Sequence, residues 1–193
     1  MTKAGRIIIL SGPSGSGKTT LYRRLLKAPD FQGRIVRSVS LTTREKRAGE
    51  REGRDYFFVS RKKFLYKQRA RHLLESQRVY QEYYGTPGKP VREALKKGRY
   101  VLLCIEIKGA AVVKRKVPDC LRIFVRPPNM TVLRKRLLKR GTESPADIRQ
   151  RLKRVKQELS EAEKYDYVLI NDDLMRCFRQ LKDILHKEMG ARR

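Results

Sequence analysis

Near the start of the chain, Gly12-Pro13-Ser14-Gly15-Ser16-Gly17-Lys18-Thr19 has the residue types and spacing that hold phosphate. It matches Gly-x-x-x-x-Gly-Lys-[Ser/Thr] at every fixed position. Glycines let successive backbone N–H groups curl around phosphate oxygens, and a helix beginning there adds the favourable end of its dipole. Lys18 can reach the β and γ phosphates as a point charge, while the Thr19 hydroxyl is a hard oxygen ligand suited to Mg2+. The expected chemistry is binding of a nucleoside triphosphate with Mg2+. ATPases, GTPases and small-molecule kinases share such a loop, so the phosphate acceptor has to be read elsewhere.

The elements around the loop are the ones it requires. The apolar run from Ile7 to Leu10 predicts a buried strand, and "TTLYRRLLK" predicts a helix with Leu21, Leu25 and Leu26 on one side, ending near Pro29. "RIVRSVSLTT" predicts a second strand, followed by a polar, glycine-punctuated connection into "YFFVS". Ser60 is placed to cap a helix running to about Ala70. In "LLESQRVYQEYYGT", alternation at Val79, Gln81 and Tyr83 predicts short strand pieces. Pro90 is expected to start a helix that Gly98 stops, with "YVLLCI" as a buried central strand.

Further along come a helix over "GAAVVKRK", a strand over "LRIFV", and a helix over "PPNMTVLRKRLLKR" capped by Asn129. Ser144 and Pro145 open a long helix to about Ala162. "YDYVLIN" is the last strand, and Leu174, Phe178, Leu181 and Leu185 mark the apolar side of a final helix. Strands alternating with helices define an α/β fold, a three-layer sandwich with a mostly parallel central sheet. Residues 38–92 interrupt the alternation with a small mixed segment, and 135–150 read as a basic hairpin region.

A chain of 193 residues, 39% hydrophobic and 35% charged, suits a single soluble domain. It carries no long apolar segment and no signal-peptide pattern, so neither membrane association nor export is expected. Its three cysteines show no metal-binding spacing, which fits reduced thiols in a cytoplasm. The net charge of +28 favours polyanions. The basic residues are nevertheless dispersed, with "RKK" at 61–63, "KRK" at 114–116 and "RKRLLKR" at 134–140, and no aromatic-rich RNA motif accompanies them. Binding to nucleic acid is therefore expected to be weak, non-specific and confined to low salt.

"SVSLTTREKRAGEREGRDYFFV", "LLESQRVYQEYYGT", "RLLKRGTESPADIRQRL" and "YDYVLIND" occur in that order and, together with the phosphate loop, resemble guanylate kinases. The resemblance runs from about residue 5 to 188. It implies one guanylate-kinase-like domain, with a P-loop core (1–37, 93–134 and 151–193), a GMP-binding subdomain at 38–92 and a lid at about 135–150. It implies transfer of the γ-phosphate of ATP to GMP, with ATP and GMP as substrates and Mg2+ as cofactor.

Residue by residue, Arg44, Arg47, Tyr56 and Tyr84 match the positions that hold the GMP phosphate. Guanidinium forks bind phosphate oxygens bidentately, and phenol hydroxyls donate to them. Ser40, Glu75, Thr86 and Glu106 match the positions around the guanine. Guanine offers N1–H and its exocyclic amine as adjacent donors, which one carboxylate can accept; adenine offers an acceptor at N1 and is repelled. Arg136 and Arg140 match lid arginines, with Arg151 a third match, and together with Lys18 and Arg44 would stabilise the transferred group. Asn171 matches a contact to adenine.

The family's central strand typically ends in an Asp-Ile-Asp-like pattern, where this chain has Cys104-Ile105-Glu106. Glu106 keeps the acid near the base with one more methylene, and Cys104 stands where a carboxylate acts near Mg2+ or the transferring phosphate. Two other readings share the fold: a kinase for another phosphorylated acceptor such as a ribose bisphosphate, and a non-catalytic guanylate-kinase-like module that binds phosphorylated proteins. The guanine set speaks against the first. The retained Gly12, Gly17, Lys18 and Thr19 speak against the second.

Overall fold

The computed structural model describes residues 5–139 and 145–190, excluding the side chains of 145–151. Five strands form one parallel sheet in the order β2-β7-β1-β8-β9: β1 (Ile7–Ser11), β2 (Ile35–Arg37), β7 (Tyr100–Cys104), β8 (Leu121–Arg126) and β9 (Tyr167–Ile170). β1 and β7 are internal strands and read as continuous apolar runs. Ile7, Ile8, Ile9 and Leu10 are each no more than 1% exposed, as a strand covered on both faces requires. A second sheet, ordered β4-β3-β6-β5, consists of β3 (Leu41–Thr42), β4 (Phe57–Phe58), β5 (Leu73–Val79) and β6 (Glu82–Pro87). The expected α/β class is what the chain adopts.

By packing, the chain divides into two compact units, Met1–Ile9 with Gly33–Leu121 and Leu10–Gln32 with Arg122–Arg193. In the first, β2 runs parallel to β7, with Val36 opposite Val101. The stretch expected as one strand over "RIVRSVSLTT" is in fact shared between two sheets. Ser38 N–H donates to the Leu102 carbonyl at the end of the β2–β7 ladder, and the Ser40 carbonyl then accepts from Phe57 N–H as the β3–β4 ladder begins. The backbone's partners change within two peptide units, so a single strand cannot continue.

The expected strand pieces over 73–87 form an antiparallel hairpin, β5–β6, with a register shift between Leu73 and Glu75 and with Gln81 in the turn rather than on an alternating face. Tyr80 takes φ 58° in that turn. The helix α2 (Arg61–Arg69) is capped as expected, Ser60 Oγ accepting from Lys63 N–H at 3.3 Å. The helix α3 (Gly88–Lys96) starts two residues before Pro90. Proline is tolerated there because N–H groups of a helix's first turn have no acceptor within the helix. α4 (Ile107–Lys116) completes this unit.

The second unit holds α1 (Lys18–Lys27), α5 (Met130–Lys139), α6 (Pro145–Ser160) and α7 (Leu174–Gly190), with β8 parallel to β9. On α1 the buried residues are Leu21, Tyr22 and Leu25, and Leu26 is half-buried. On α7, Cys177 fills the buried position expected of Phe178, in line with Leu181, Leu185 and Met189. Burial pushes the Cys177 thiol up to about 11, so it behaves as a small apolar group. Asn129 Oδ1 accepts from Val132 N–H at 2.9 Å and caps α5 as expected. The expected lid, 135–150, lies partly outside the described residues; what is described of it is helical, the end of α5 and the start of α6.

Candidate functional site

The end of β1 leads through the glycine loop directly into α1. Gly12 has φ +133°, and a Cβ on it would stand 2.1 Å from the Val125 carbonyl oxygen. Only glycine fits there. The loop closes on itself through Ser16 N–H donating to the Pro13 carbonyl at 3.2 Å. Lys18 Nζ lies across the loop, donating to the Gly12 carbonyl at 2.6 Å and the Pro13 carbonyl at 2.9 Å. Its ammonium is therefore held against the loop backbone itself. Thr19 is exposed on the first turn of α1, with Ser14 and Gly15 earlier in the same loop.

Asn171, at the end of β9, is 3% exposed. Its Nδ2 donates to the Ser16 carbonyl at 2.7 Å. Arg136 Nη2 donates in turn to the Asn171 carbonyl at 2.9 Å. Of the expected site residues, Asn171 meets the loop directly and the expected lid arginine Arg136 meets Asn171. Arg140 lies outside the described residues, and only the backbone of Arg151 is described, on α6.

In the first unit, two groups of expected residues come together. Arg44 Nη2 reaches both Glu50 oxygens, at 2.8 and 3.0 Å, and Glu50 Oε2 also accepts from Arg47 N–H at 2.9 Å. The Arg44 guanidinium lies 5.5 Å from the Tyr56 ring centroid, and Tyr56 meets Tyr84 edge-on with ring centroids 6.0 Å apart. Burial opposes the charged form of Arg44, but the Glu50 hydrogen bond and the adjacent Tyr84 outweigh it and hold Arg44 above its ordinary value. Burial opposes the charged form of Glu50 too; the Arg44 hydrogen bond and the Arg47 N–H outweigh that and keep it low. Burial, with Cys104 and Tyr84 nearby, pushes the Tyr56 phenol well up. Tyr56 therefore keeps its phenolic proton at neutral pH.

The second group surrounds Glu75. Glu75 and Thr86 are paired across β5 and β6, next to a register shift between Leu73 and Glu75 that re-aims the side chain. Thr86 Oγ1 donates to Glu75 Oε1 at 2.6 Å. α4 runs against the other oxygen: a Cβ on Gly109 would stand 2.6 Å from Glu75 Oε2. Burial pushes the Glu75 carboxyl up to about 7, against the Thr86 hydrogen bonds, with Glu106 adding repulsion. Glu106 is the residue before α4, its carbonyl accepting from Ala110 N–H at 2.9 Å. Ser40 is 7% exposed at the entry to β3.

Sequence reasoning missed Glu50 and Gly109. Glu50 carries a usable signal, an acid in a basic, glycine-bent loop six residues after Arg44. Gly109 carries none, since a glycine at "IKGAAVV" reads equally well as ordinary helix.

Strand, glycine loop and helix define a P-loop nucleotide-binding protein, and in the first unit the Arg44–Tyr56–Tyr84 and Glu75–Thr86 groups each come together. The family model for guanylate kinase matches residues 4–188. A guanylate kinase of Maricaulis maris is 43% identical over 188 residues, covering 96% of this chain and 84% of the relative. One from Streptococcus mutans is 42% identical, covering 97% and 89%. The crystal structure of guanylate kinase from Anaplasma phagocytophilum superposes with a TM-score of 0.80 at 34% identity, covering 96% of this chain and 87% of that one. The chain belongs to the guanylate kinase family.

Proposed function

We propose that the chain transfers the γ-phosphate of ATP to GMP, giving ADP and GDP. The carrying observation is the Glu75–Thr86 pair, a buried carboxylate with an oxygen left to meet guanine's adjacent donors, in a chain whose P-loop is intact. Family membership supports the same reaction.

In this reading residues 38–92 form the GMP-binding subdomain, and Arg44, Arg47, Tyr56 and Tyr84 hold the GMP phosphate. Ser40, Glu75, Thr86 and Glu106 surround the base. A GMP phosphate oxygen is the nucleophile, so no general base is required. Lys18 and the loop N–H groups hold the donor phosphates, and Arg136, Arg140 and Arg151 add fixed positive charge as the group moves.

Thr19 is an exposed hydroxyl at the head of α1 and fits the oxygen preference of Mg2+. Among the described residues no group of three or more His, Cys, Asp or Glu could hold a metal, so phosphate and water are left to supply the remaining ligands. When bound, Mg2+ neutralises charge on the β and γ phosphates.

Among the described residues no helix is long and apolar enough to cross a membrane. All three cysteines are free thiols, which fits the cytoplasmic setting we infer. The high net charge adds weak, non-specific nucleic-acid binding that collapses near physiological salt. A coupled assay of ADP release with ATP and a panel of GMP, AMP, CMP and UMP tests the main reading. GMP alone should support turnover; equal rates with AMP would overturn it.

A further inference from the structure

We infer that Asn171 is a positioning residue for the phosphate loop, acting through the Ser16–Gly17 peptide. The inference rests on the donor-site reading above. The Asn171 amide is almost wholly buried, and its Nδ2 is committed to the Ser16 carbonyl at 2.7 Å. Only the amide's NH2 end can meet a carbonyl, so this bond fixes which way the side chain faces. Its Oδ1 is buried and makes no hydrogen bond among the described residues, so the Ser16 carbonyl is the amide's one protein partner there.

The consequence follows from peptide geometry. The Ser16–Gly17 peptide is planar and trans, so its C=O and N–H point in opposite directions. Drawing the Ser16 carbonyl toward Asn171 turns the Gly17 N–H the other way. In a P-loop those successive N–H groups are what the phosphate meets. Asn171 therefore sets the aim of a phosphate donor without contacting the phosphate.

Two further contacts fit that role. A Cβ on Gly17 would stand 2.0 Å from Asn171 Nδ2, so the close approach of loop and amide leaves room for glycine alone. Asn171 is itself tethered on both sides of its backbone, its N–H donating to the Arg126 carbonyl at 2.9 Å and its carbonyl accepting from Arg136 Nη2 at 2.9 Å. The brace is held from β8 and from α5.

The test uses inorganic tripolyphosphate, which has no base to read. Its affinity is measured by titration calorimetry on the full chain, alongside KM for ATP and for GMP. Asn171→Ala should weaken tripolyphosphate about tenfold, the cost of freeing one buried carbonyl. Asn171→Asp keeps the shape but turns an acceptor toward that carbonyl, and should weaken it at least as much. KM for ATP should rise in both variants while KM for GMP stays within about twofold. Should Asn171→Ala fail to fold, the isosteric Asn171→Asp carries the measurement.

If ATP binding falls while tripolyphosphate binding is unchanged, Asn171 reads the base and the inference is wrong. Unchanged binding of both ligands overturns it equally. If the unaltered protein fails to bind tripolyphosphate, the donor-site reading falls first and this inference with it.

Discussion

Thr86 Oγ1 donates a 2.6 Å hydrogen bond to Glu75 Oε1 from directly across the β5–β6 ladder, with both side chains buried. One carboxylate oxygen is thereby anchored, and the bond partly offsets the burial that disfavours its charge. The balance leaves Glu75 titrating at about 7, raised from 4.5. A raised carboxyl value means that this group's contribution to stability is fully present below about 4.5 and is lost as the pH rises through about 7. Guanine recognition runs the other way, because only the ionised form accepts both guanine donors. KM for GMP should fall as pH rises from 6 to 8. Glu75→Gln should flatten that profile, which separates it from the titration of the GMP phosphate itself. The variant should lose roughly 1–3 kcal/mol of GMP recognition. It should also raise the melting temperature of the GMP-free protein at pH 8, because an amide keeps the Thr86 bond without a buried charge. An unchanged GMP profile would remove Glu75 from the base site.

Gly109 gives a second test of the same carboxylate. Alanine in a helix interior is normally favoured over glycine by about 1 kcal/mol. Here the added methyl would stand 2.6 Å from Glu75 Oε2, so the carboxylate or α4 has to move. Gly109→Ala should raise KM for GMP about tenfold, equivalent to about 1.4 kcal/mol, and leave KM for ATP unchanged. Kinetics for both substrates, beside a melting curve, distinguish this from general unfolding. A variant with wild-type GMP kinetics would mean that α4 yields without disturbing the site.

At the donor loop, Lys18 is tied to the carbonyls of Gly12 and Pro13. Lys18→Ala removes both ties and the positive charge aimed at the β and γ phosphates. Turnover should fall on the order of a hundredfold or more, with the fold intact by circular dichroism. Near-normal turnover would sink the P-loop assignment.

The fold and the donor loop were legible because both are written locally. The apolar run at Ile7–Leu10, the glycine spacing and the caps Ser60 and Asn129 each act within a few residues of themselves. Glu75 and Thr86 were legible only through resemblance, since a cross-strand pair between residues eleven apart depends on hairpin register. The division of "RIVRSVSLTT" between two sheets was not legible. Propensity is uniform along that run, and the switch is made by hydrogen-bond partners at Leu102 and Phe57. For Asn171 the resemblance names a residue without showing what its amide touches. Burial against Ser16 is a tertiary fact.

Cys104 ends β7, half-buried and close enough to Tyr56 to influence its phenol. A neutral thiol is a poor partner for hydrated Mg2+, which prefers hard oxygens, often through water. Cys104→Asp should therefore lower the Mg2+ concentration needed for half-maximal rate, or raise kcat, if position 104 acts near the metal as the resemblance implies. Two local effects oppose the gain. An aspartate half-removed from water has its own carboxyl pushed up, and its charge would add to the repulsion that already raises Tyr56 and Glu75 from Glu106. The second effect has a signature of its own: the pH profile for GMP should move to higher pH in the variant, with no change in Mg2+ demand. A Mg2+ titration of GMP-dependent ADP release, repeated at pH 7 and pH 8 beside a melting curve, separates the two. A titration that does not shift at either pH, in a stably folded variant, would place Cys104 outside the metal's surroundings.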